Sequence, residues 1–214
     1  MASIAIIDYG MGNLHSIAKA LEHVAGHHLV FISSDPESIL RAGRVVFPGV
    51  GAIGDCMDEL RRLELDEVVR EAARSKPLLG VCLGMQALLT RSEENDGTAC
   101  LDVLPGEVRR FPRNLVDASG ARLKVPHMGW NAVRQSRPHP LWAGIADNSR
   151  FYFVHSYFTE PAQADEIAGV TDYGGEFASV LARENVFAAQ FHPEKSQHAG
   201  LALLANFVDW DGQG

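Results

Sequence analysis

Apolar residues fall into two rhythms along this chain. In roughly the first ninety residues, short apolar runs at 4–7, 29–32, 45–47 and 78–81 alternate with stretches whose apolar positions recur every three or four residues. Unbroken runs of that length are the pattern of strands buried on both faces. Leu14, Ile17, Ala18, Leu21 and Val24 mark one helix face, with Asn13 placed to cap it. Leu65, Val68, Val69, Ala72 and Ala73 mark another. This alternation predicts an α/β fold, a mainly parallel sheet flanked by helices on both faces. From residue 104 onward the pattern changes to short runs at 107–111, 123–125, 151–154, 167–170 and 179–182, separated by turn residues. These predict additional strands in the C-terminal half, some of them antiparallel. Residues 186–191 read as one more strand, and Leu203, Leu204, Phe207 and Val208 as the face of a final helix. No repeat, low-complexity stretch or linker divides the chain, so residues 1–214 are expected to form one domain.

Chemistry concentrates where the first rhythm breaks. The run at 78–81 passes into Gly80-Val81-Cys82-Leu83-Gly84 and then into a helical stretch over 83–89. Cys82 therefore sits on a strand-to-helix turn with a glycine two positions away on each side, the pattern of a nucleophile elbow. Glycines leave room for such a turn, and a helix N-terminus stabilises a thiolate. A buried structural cysteine is the plainer alternative. A second segment, Gln190-Phe191-His192-Pro193-Glu194, weighs against it. His192 lies at the end of the strand-like run, on the edge where active sites of parallel sheets gather. Pro193 biases His192 toward extended backbone, and extended backbone puts Glu194 on the same side as His192. A carboxylate there fixes the imidazole's tautomer and stabilises its charged form. A third segment, Pro48-Gly49-Val50-Gly51, follows the run at 45–47. Beside the elbow, such a loop offers the Val50 amide as one oxyanion donor, with the Leu83 amide as the other.

Composition removes several classes of function. A formal net charge of −8 argues against a nucleic-acid surface. Three cysteines, at 56, 82 and 100, form no Cys-x-x-Cys pair, which points to a reducing, cytoplasmic setting. The stretch starting Met1-Ala2-Ser3 has no basic region, and its apolar run soon meets Asp8, so a signal peptide is not expected. No apolar run approaches the roughly 18 residues that a membrane span requires. Gly10-Met11-Gly12 begins like a dinucleotide fingerprint, but His15 stands where glycine or alanine is needed. His23 and His27 are spaced like metal ligands, but Gly26 ends their helix and no further ligand completes a set, so no metal is expected.

The stretches Cys82-Leu83-Gly84-Met85-Gln86, Pro48-Gly49-Val50-Gly51 and His192-Pro193-Glu194 together resemble the class I, or triad, glutamine amidotransferases. Asp8-Tyr9-Gly10-Met11-Gly12-Asn13-Leu14, Pro126-His127-Met128-Gly129-Trp130-Asn131 and the extension through Lys195-Ser196 resemble one branch of that family. Its members are glutaminase subunits that supply ammonia to a (β/α)8-barrel cyclase in histidine biosynthesis. The resemblance implies catalytic Cys82, His192 and Glu194, no cofactor, and L-glutamine as substrate. It assigns Gly49, Gly51, Gln86, Glu94, His155, Ser156 and Tyr157 to the glutamine pocket. It places Asn13, Met128, Trp130, Asn131 and Lys195 against the partner subunit. Ala99-Cys100-Leu101-Asp102 departs from the Gly-Leu-Gly-like stretch that the resemblance implies there. Two other readings stay open: an amidotransferase subunit serving a different synthase, and a cysteine hydrolase that acts alone on peptides or esters. The identity of a co-purifying partner separates the first, and glutamine against peptide turnover the second.

Overall fold

The computed structural model describes residues 3–214; Met1 and Ala2, where the signal-peptide reading begins, lie outside the described residues. The N-terminal half runs β1 (Ser3–Ile7), α1 (Leu14–Val24), β2 (Leu29–Ser33), α2 (Pro36–Arg41), β3 (Arg44–Gly49), α3 (Ile53–Arg62), α4 (Leu65–Ser75), β4 (Leu78–Cys82) and α5 (Leu83–Ala87). The remainder runs β5 (Arg91–Ser92), β6 (Thr98–Ala99), β7 (Gly106–Arg110), β8 (His127–Gln135), β9 (Ser149–His155), β10 (Tyr157–Pro161), β11 (Ile167–Asp172), β12 (Glu176–Arg183), β13 (Val186–Ala189) and α6 (Gln197–Asp209).

Strands β2, β1, β3, β4 and β13 form a parallel block in that order. Antiparallel pairing starts at β13–β12 and forks at β12. One arm continues through β10, β7, β5 and β6, antiparallel except for the parallel β7–β5 pair, and the other through β11, β8 and β9. The parallel block is apolar on both faces because its strands alternate sides. Ile4 and Ile6 pack with α1 and α6 on one face, while Ala5 and Ile7 pack with α2, α3, α4 and α5 on the other. Helices therefore cover both faces, as the sequence pattern predicts. Asn13 caps α1, its side chain accepting from the Ser16 amide.

Several elements differ from the sequence reading. The run at 123–125 forms no strand. Leu123 N–H bonds to the Leu115 carbonyl and Asp117 N–H to the Ala121 carbonyl, so a local loop takes up the polar backbone there. The helix after the elbow stops at Ala87 because the carbonyls of Ala87, Leu88 and Leu89 accept from the incoming 101–104 segment. Strand β13 ends at Ala189, three residues short of His192, which is held instead by a bridge to Tyr152.

The parallel register brings the functional segments together. Gly49 pairs with Cys82, and Val81 pairs with Ala189, so three strand ends meet at one level. The approach is close enough to require glycine at two points. A Cβ on Gly84 would lie 1.9 Å from the Phe47 carbonyl oxygen, and one on Gly49 would lie 2.4 Å from the Tyr9 hydroxyl. Gly84→Ala is therefore expected to destabilise the fold by at least about 3 kcal/mol, the upper range for overpacking. Gly54→Ala, whose Cβ meets nothing nearer than 3.5 Å within α3, should be neutral or stabilising by up to about 1 kcal/mol. Chemical denaturation of the two variants checks the contrast.

Candidate active site

Cys82 ends β4 with φ 53° and ψ −107°, a conformation that non-glycine residues rarely adopt. The strand arriving from one side and α5 leaving on the other over-determine it. Its sulfur opens onto a cavity of about 290 Å³. Val50, Gly51, Leu83, Gln86, Glu94, His155, Ser156, Tyr157 and His192, all singled out in the sequence, line that cavity; Pro126 and Val154 line it too. Gly49 and Glu194 lie behind it, with Asn13, around a much smaller cleft.

His192 and Glu194 form the second part of the site. His192 Nδ1 lies 2.9 Å from Glu194 Oε1, with both side chains buried. Their approach does not come from extended alternation. Pro193 opens a single 3-10 turn over Pro193–Lys195, and the turn swings Glu194 back under the ring. His192 Nε2 has no hydrogen-bond partner. A bond from Nδ1–H to Glu194 places the neutral ring's proton on Nδ1 and leaves Nε2 as the base. Burial opposes a charged His192, but Cys82 and Glu194 on either side outweigh it and raise its pKa to about 10. The ring is suited to hold a proton taken from the thiol.

The pocket residues are bound more tightly than the sequence suggests. Glu94 accepts from the Ile53 amide at 3.1 Å and so supplies the cap that Ala52 cannot give α3. Burial raises its carboxyl pKa above the usual range. His155 spends both ring nitrogens inside the protein, Nδ1 on the Tyr157 carbonyl at 2.8 Å and Nε2 on His127 Nδ1 at 3.0 Å. Burial holds its pKa down at about 3, so it is neutral and occupied rather than free to act as a base. Gln86 gives both amide hydrogens to internal acceptors, the Tyr157 carbonyl and Gln190 Oε1, each at 2.9 Å. Gln190, given no role in the sequence reading, reaches Cys82 Sγ with its Nε2 at 3.7 Å. Its signal was available: residue 190 is two positions before His192 on the same strand-like run.

On the outer side, Met128 and Trp130 are exposed large apolar residues. Trp130 stands edge-on to Tyr152, and Lys195 Nζ lies 5.9 Å from the centre of the same ring. Asn131 turns inward, with its side-chain amide directed to His127 and the Asp172 carbonyl. In the 99–102 departure, Asp102 accepts from the Thr90 hydroxyl and Cys100 is buried. Among the described residues no group of three or more His, Cys, Asp or Glu is placed to hold a metal ion, and no helix is long and apolar enough to cross a membrane.

Two predictions follow from these environments. Burial pushes the Cys56 thiol up to about 12 and the Cys100 thiol up to about 11, whereas Cys82 faces the cavity. Iodoacetamide at neutral pH should label Cys82 well ahead of the other two, as read by peptide mass mapping; equal labelling would contradict the assignment. The second concerns acid. Burial lowers the pKa of His127 to about 4, His139 to about 4 and His155 to about 3. Unfolded histidine titrates near 6.5, so below that pH the unfolded chain binds protons the folded chain does not. Stability should fall as pH drops from about 6.5 toward 4, by up to about 1.4 kcal/mol per pH unit for each ring. Urea midpoints between these values check this, and His139→Phe, away from the cavity, should flatten the slope by about a third.

The glutamine amidotransferase class-I family matches residues 5–210. The chain is 60% identical over 212 residues to the imidazole glycerol phosphate synthase subunit HisH of Nitrosococcus oceani, covering 99% of each chain. It is 60% identical over 212 residues to the subunit of that name in Methylococcus capsulatus, covering 99% of this chain and 98% of that one. Among solved structures, PurLQS from Thermotoga maritima matches with a TM-score of 0.73 at 15% identity, over 97% of this chain and 98% of that one. The glutaminase domain of Trypanosoma brucei CTPS matches at 0.64 and 19% identity, over 99% and 95%. The two structures share the fold; the family match and the full-length relatives carry the assignment, and this chain belongs to the class-I glutamine amidotransferases.

Proposed function

We propose that the chain, acting as one cytoplasmic amidotransferase domain, hydrolyses the side-chain amide of L-glutamine to glutamate and ammonia. It would pass the ammonia to the (β/α)8-barrel cyclase subunit of an imidazole glycerol phosphate synthase, in histidine biosynthesis. The observation that carries the reading is the alignment of Glu194, His192 and the cavity: Glu194 holds Nδ1 at 2.9 Å, and unpartnered Nε2 belongs to the ring that lines the cavity with Cys82. The full-length relatives named HisH support the choice of synthase.

In this mechanism the Cys82 thiolate attacks the amide carbon while His192 holds the thiol proton. The oxyanion is received by the Val50 and Leu83 amides. His192 then gives its proton to the departing nitrogen, which leaves as ammonia, and a glutamyl thioester remains on Cys82. Water, deprotonated by His192, attacks the thioester; glutamate leaves and the proton returns to sulfur. Positioned acid–base catalysis of this kind typically contributes about 10²- to 10⁴-fold. Gly49, Gly51, Gln86, Glu94, His155, Ser156 and Tyr157 would form the glutamine pocket. Given the internal bonds of Gln86 and His155, their part is to shape its wall rather than to bind with free ring or amide hydrogens. Asn13, Met128, Trp130 and Lys195 would face the partner, with Asn131 backing that surface from inside.

Gly51 has φ +105°, and Val50 is exposed between Gly49 and Gly51. In the isolated chain that segment would rest with the Val50 carbonyl, not its N–H, toward the oxyanion position, and partner and nucleotide binding would turn it. One missing oxyanion donor costs about 2.7–4 kcal/mol, or two to three orders of magnitude in rate. The isolated chain should therefore be a slow glutaminase, and the cyclase with its nucleotide should raise the rate by about that factor. In the reconstituted complex, Cys82→Ala should abolish synthesis from glutamine while synthesis from ammonium salts persists. Ammonia release and product formation measure both; glutamine-dependent turnover retained in Cys82→Ala would remove Cys82 as the nucleophile.

A further inference from the structure

Gln190 is fully buried and continues β13, whose register with β4 carries it alongside Cys82. Its side-chain Oε1 accepts from Gln86 Nε2 at 2.9 Å. That bond decides which way the Gln190 amide faces: the oxygen is taken, and the NH₂ group is turned to Cys82 Sγ at 3.7 Å. Gln86 is itself fixed by its second bond, to the Tyr157 carbonyl. The same carbonyl accepts from His155 Nδ1 at 2.8 Å. Because the neutral His155 ring donates there, its Nε2 must accept, and His127 Nδ1 donates to it at 3.0 Å. His127 Nε2 then accepts from Asn131 Nδ2 at 3.3 Å. The His127 ring is stacked between Phe153 and Tyr173, with centroids 4.8 Å and 3.9 Å away, so it has little freedom to turn. The run from Asn131 on β8 to the sulfur thus has one consistent set of donor and acceptor assignments.

We propose that Gln190 is a further catalytic residue, whose side-chain NH₂, oriented by Gln86, donates to Cys82 Sγ and favours the thiolate over the thiol. The proposal rests on the reading of Cys82 as nucleophile. Two contacts at the sulfur act in opposite directions. The thiol donates to the Val154 carbonyl at 3.9 Å, a contact that exists only while the proton is present. The Gln190 contact strengthens when the proton leaves, because a hydrogen bond to an ionised acceptor is about twice as strong as a neutral one. The titratable groups around Cys82 are His192 after β13 and Tyr9 after β1, with Glu194 behind His192 and with His155, Tyr157 and Glu94 elsewhere on the cavity wall. Gln190 carries no charge and donates to the sulfur, so removing it changes the sulfur's hydrogen bonding without changing the charge of the site.

The test is Gln190→Met, which keeps the bulk and removes the donor. The rate of Cys82 alkylation by iodoacetamide, followed by peptide mass mapping across pH, reports the thiolate directly. Loss of a bond to a charged acceptor should move the midpoint upward by about one pH unit and slow alkylation at neutral pH about tenfold. The kcat for glutamine should fall in parallel, with KM within about twofold. A residue that only fills the core would lower the denaturation midpoint and leave the alkylation profile in place, and that result would overturn the proposal. If Gln190→Met does not fold, wild-type protein carries the test. The Gln190 side-chain amide signal in ¹⁵N-edited NMR should shift as Cys82 titrates and stay fixed over that range in Cys82→Ala; a signal that ignores Cys82 overturns it equally. The alkylation profile and the NMR titration need no substrate, so failure of the glutaminase reading would appear separately, as no ammonia release from glutamine by the wild-type complex.

Discussion

The site depends on how closely the loop after β3 lies against the turn after β4. Phe47 presents its carbonyl oxygen to Gly84 at a distance that excludes any side chain, and Gly49 fits beneath Tyr9 and Leu83 in the same way. Tyr9 fixes the arrangement from below by donating to the Pro48 carbonyl at 3.0 Å. With that contact in place, Cys82 is held at φ 53° with its sulfur facing the cavity. The backbone on either side of the loop is locked, while Val50 and Gly51 stand free at the surface. Exposed Val50 and Gly51, the latter at φ +105°, thus stand on rigid support.

Around the sulfur, the protein separates charged from neutral groups by what each can bond to. His192 is buried yet favours its charged form, because Cys82 and Glu194 flank it. His155 and His127 are buried with no carboxylate among their bonded partners, and burial keeps them neutral. A neutral histidine has one donor and one acceptor, so a pair of them can pass orientation along a chain as no charged pair can. That pair links β8, which carries exposed Met128 and Trp130, to the carbonyl that fixes Gln86 and through it Gln190. The outer strand and Cys82 are thereby joined by one continuous set of hydrogen bonds.

Helical signals were present in the sequence for more than was read from them. Asp35-Pro36 opens α2 with the usual start, and the Asp35 side chain accepts from Ser38 N–H at 2.8 Å. Ile53, Cys56, Met57 and Leu60 have the spacing that buries one face of α3. Apolar runs located the parallel strands to within a residue or two: inner strands covered on both faces must be apolar throughout, and the edge strand β2 is apolar although it exposes Leu29 and Ile32. They failed at 123–125, where the loop closed by Leu115 and Leu123 takes the backbone bonds that a strand would have used.

What the sequence determined by itself was the local chemistry: a cysteine between glycines at a strand end, a histidine two residues before a glutamate, and the alternation that makes an α/β sheet. These are short-range facts, set by backbone preference and by which faces must be buried. The tertiary structure decided the rest. It brought Gly84 against Phe47 and Gln190 against Cys82, and it paired His127 with His155 through the facing register of β8 and β9. It also turned Asn131 inward, although its neighbours Met128 and Trp130 face out. Each of these depends on strand register and on which buried donor finds which acceptor, and both are settled only when distant segments pack together.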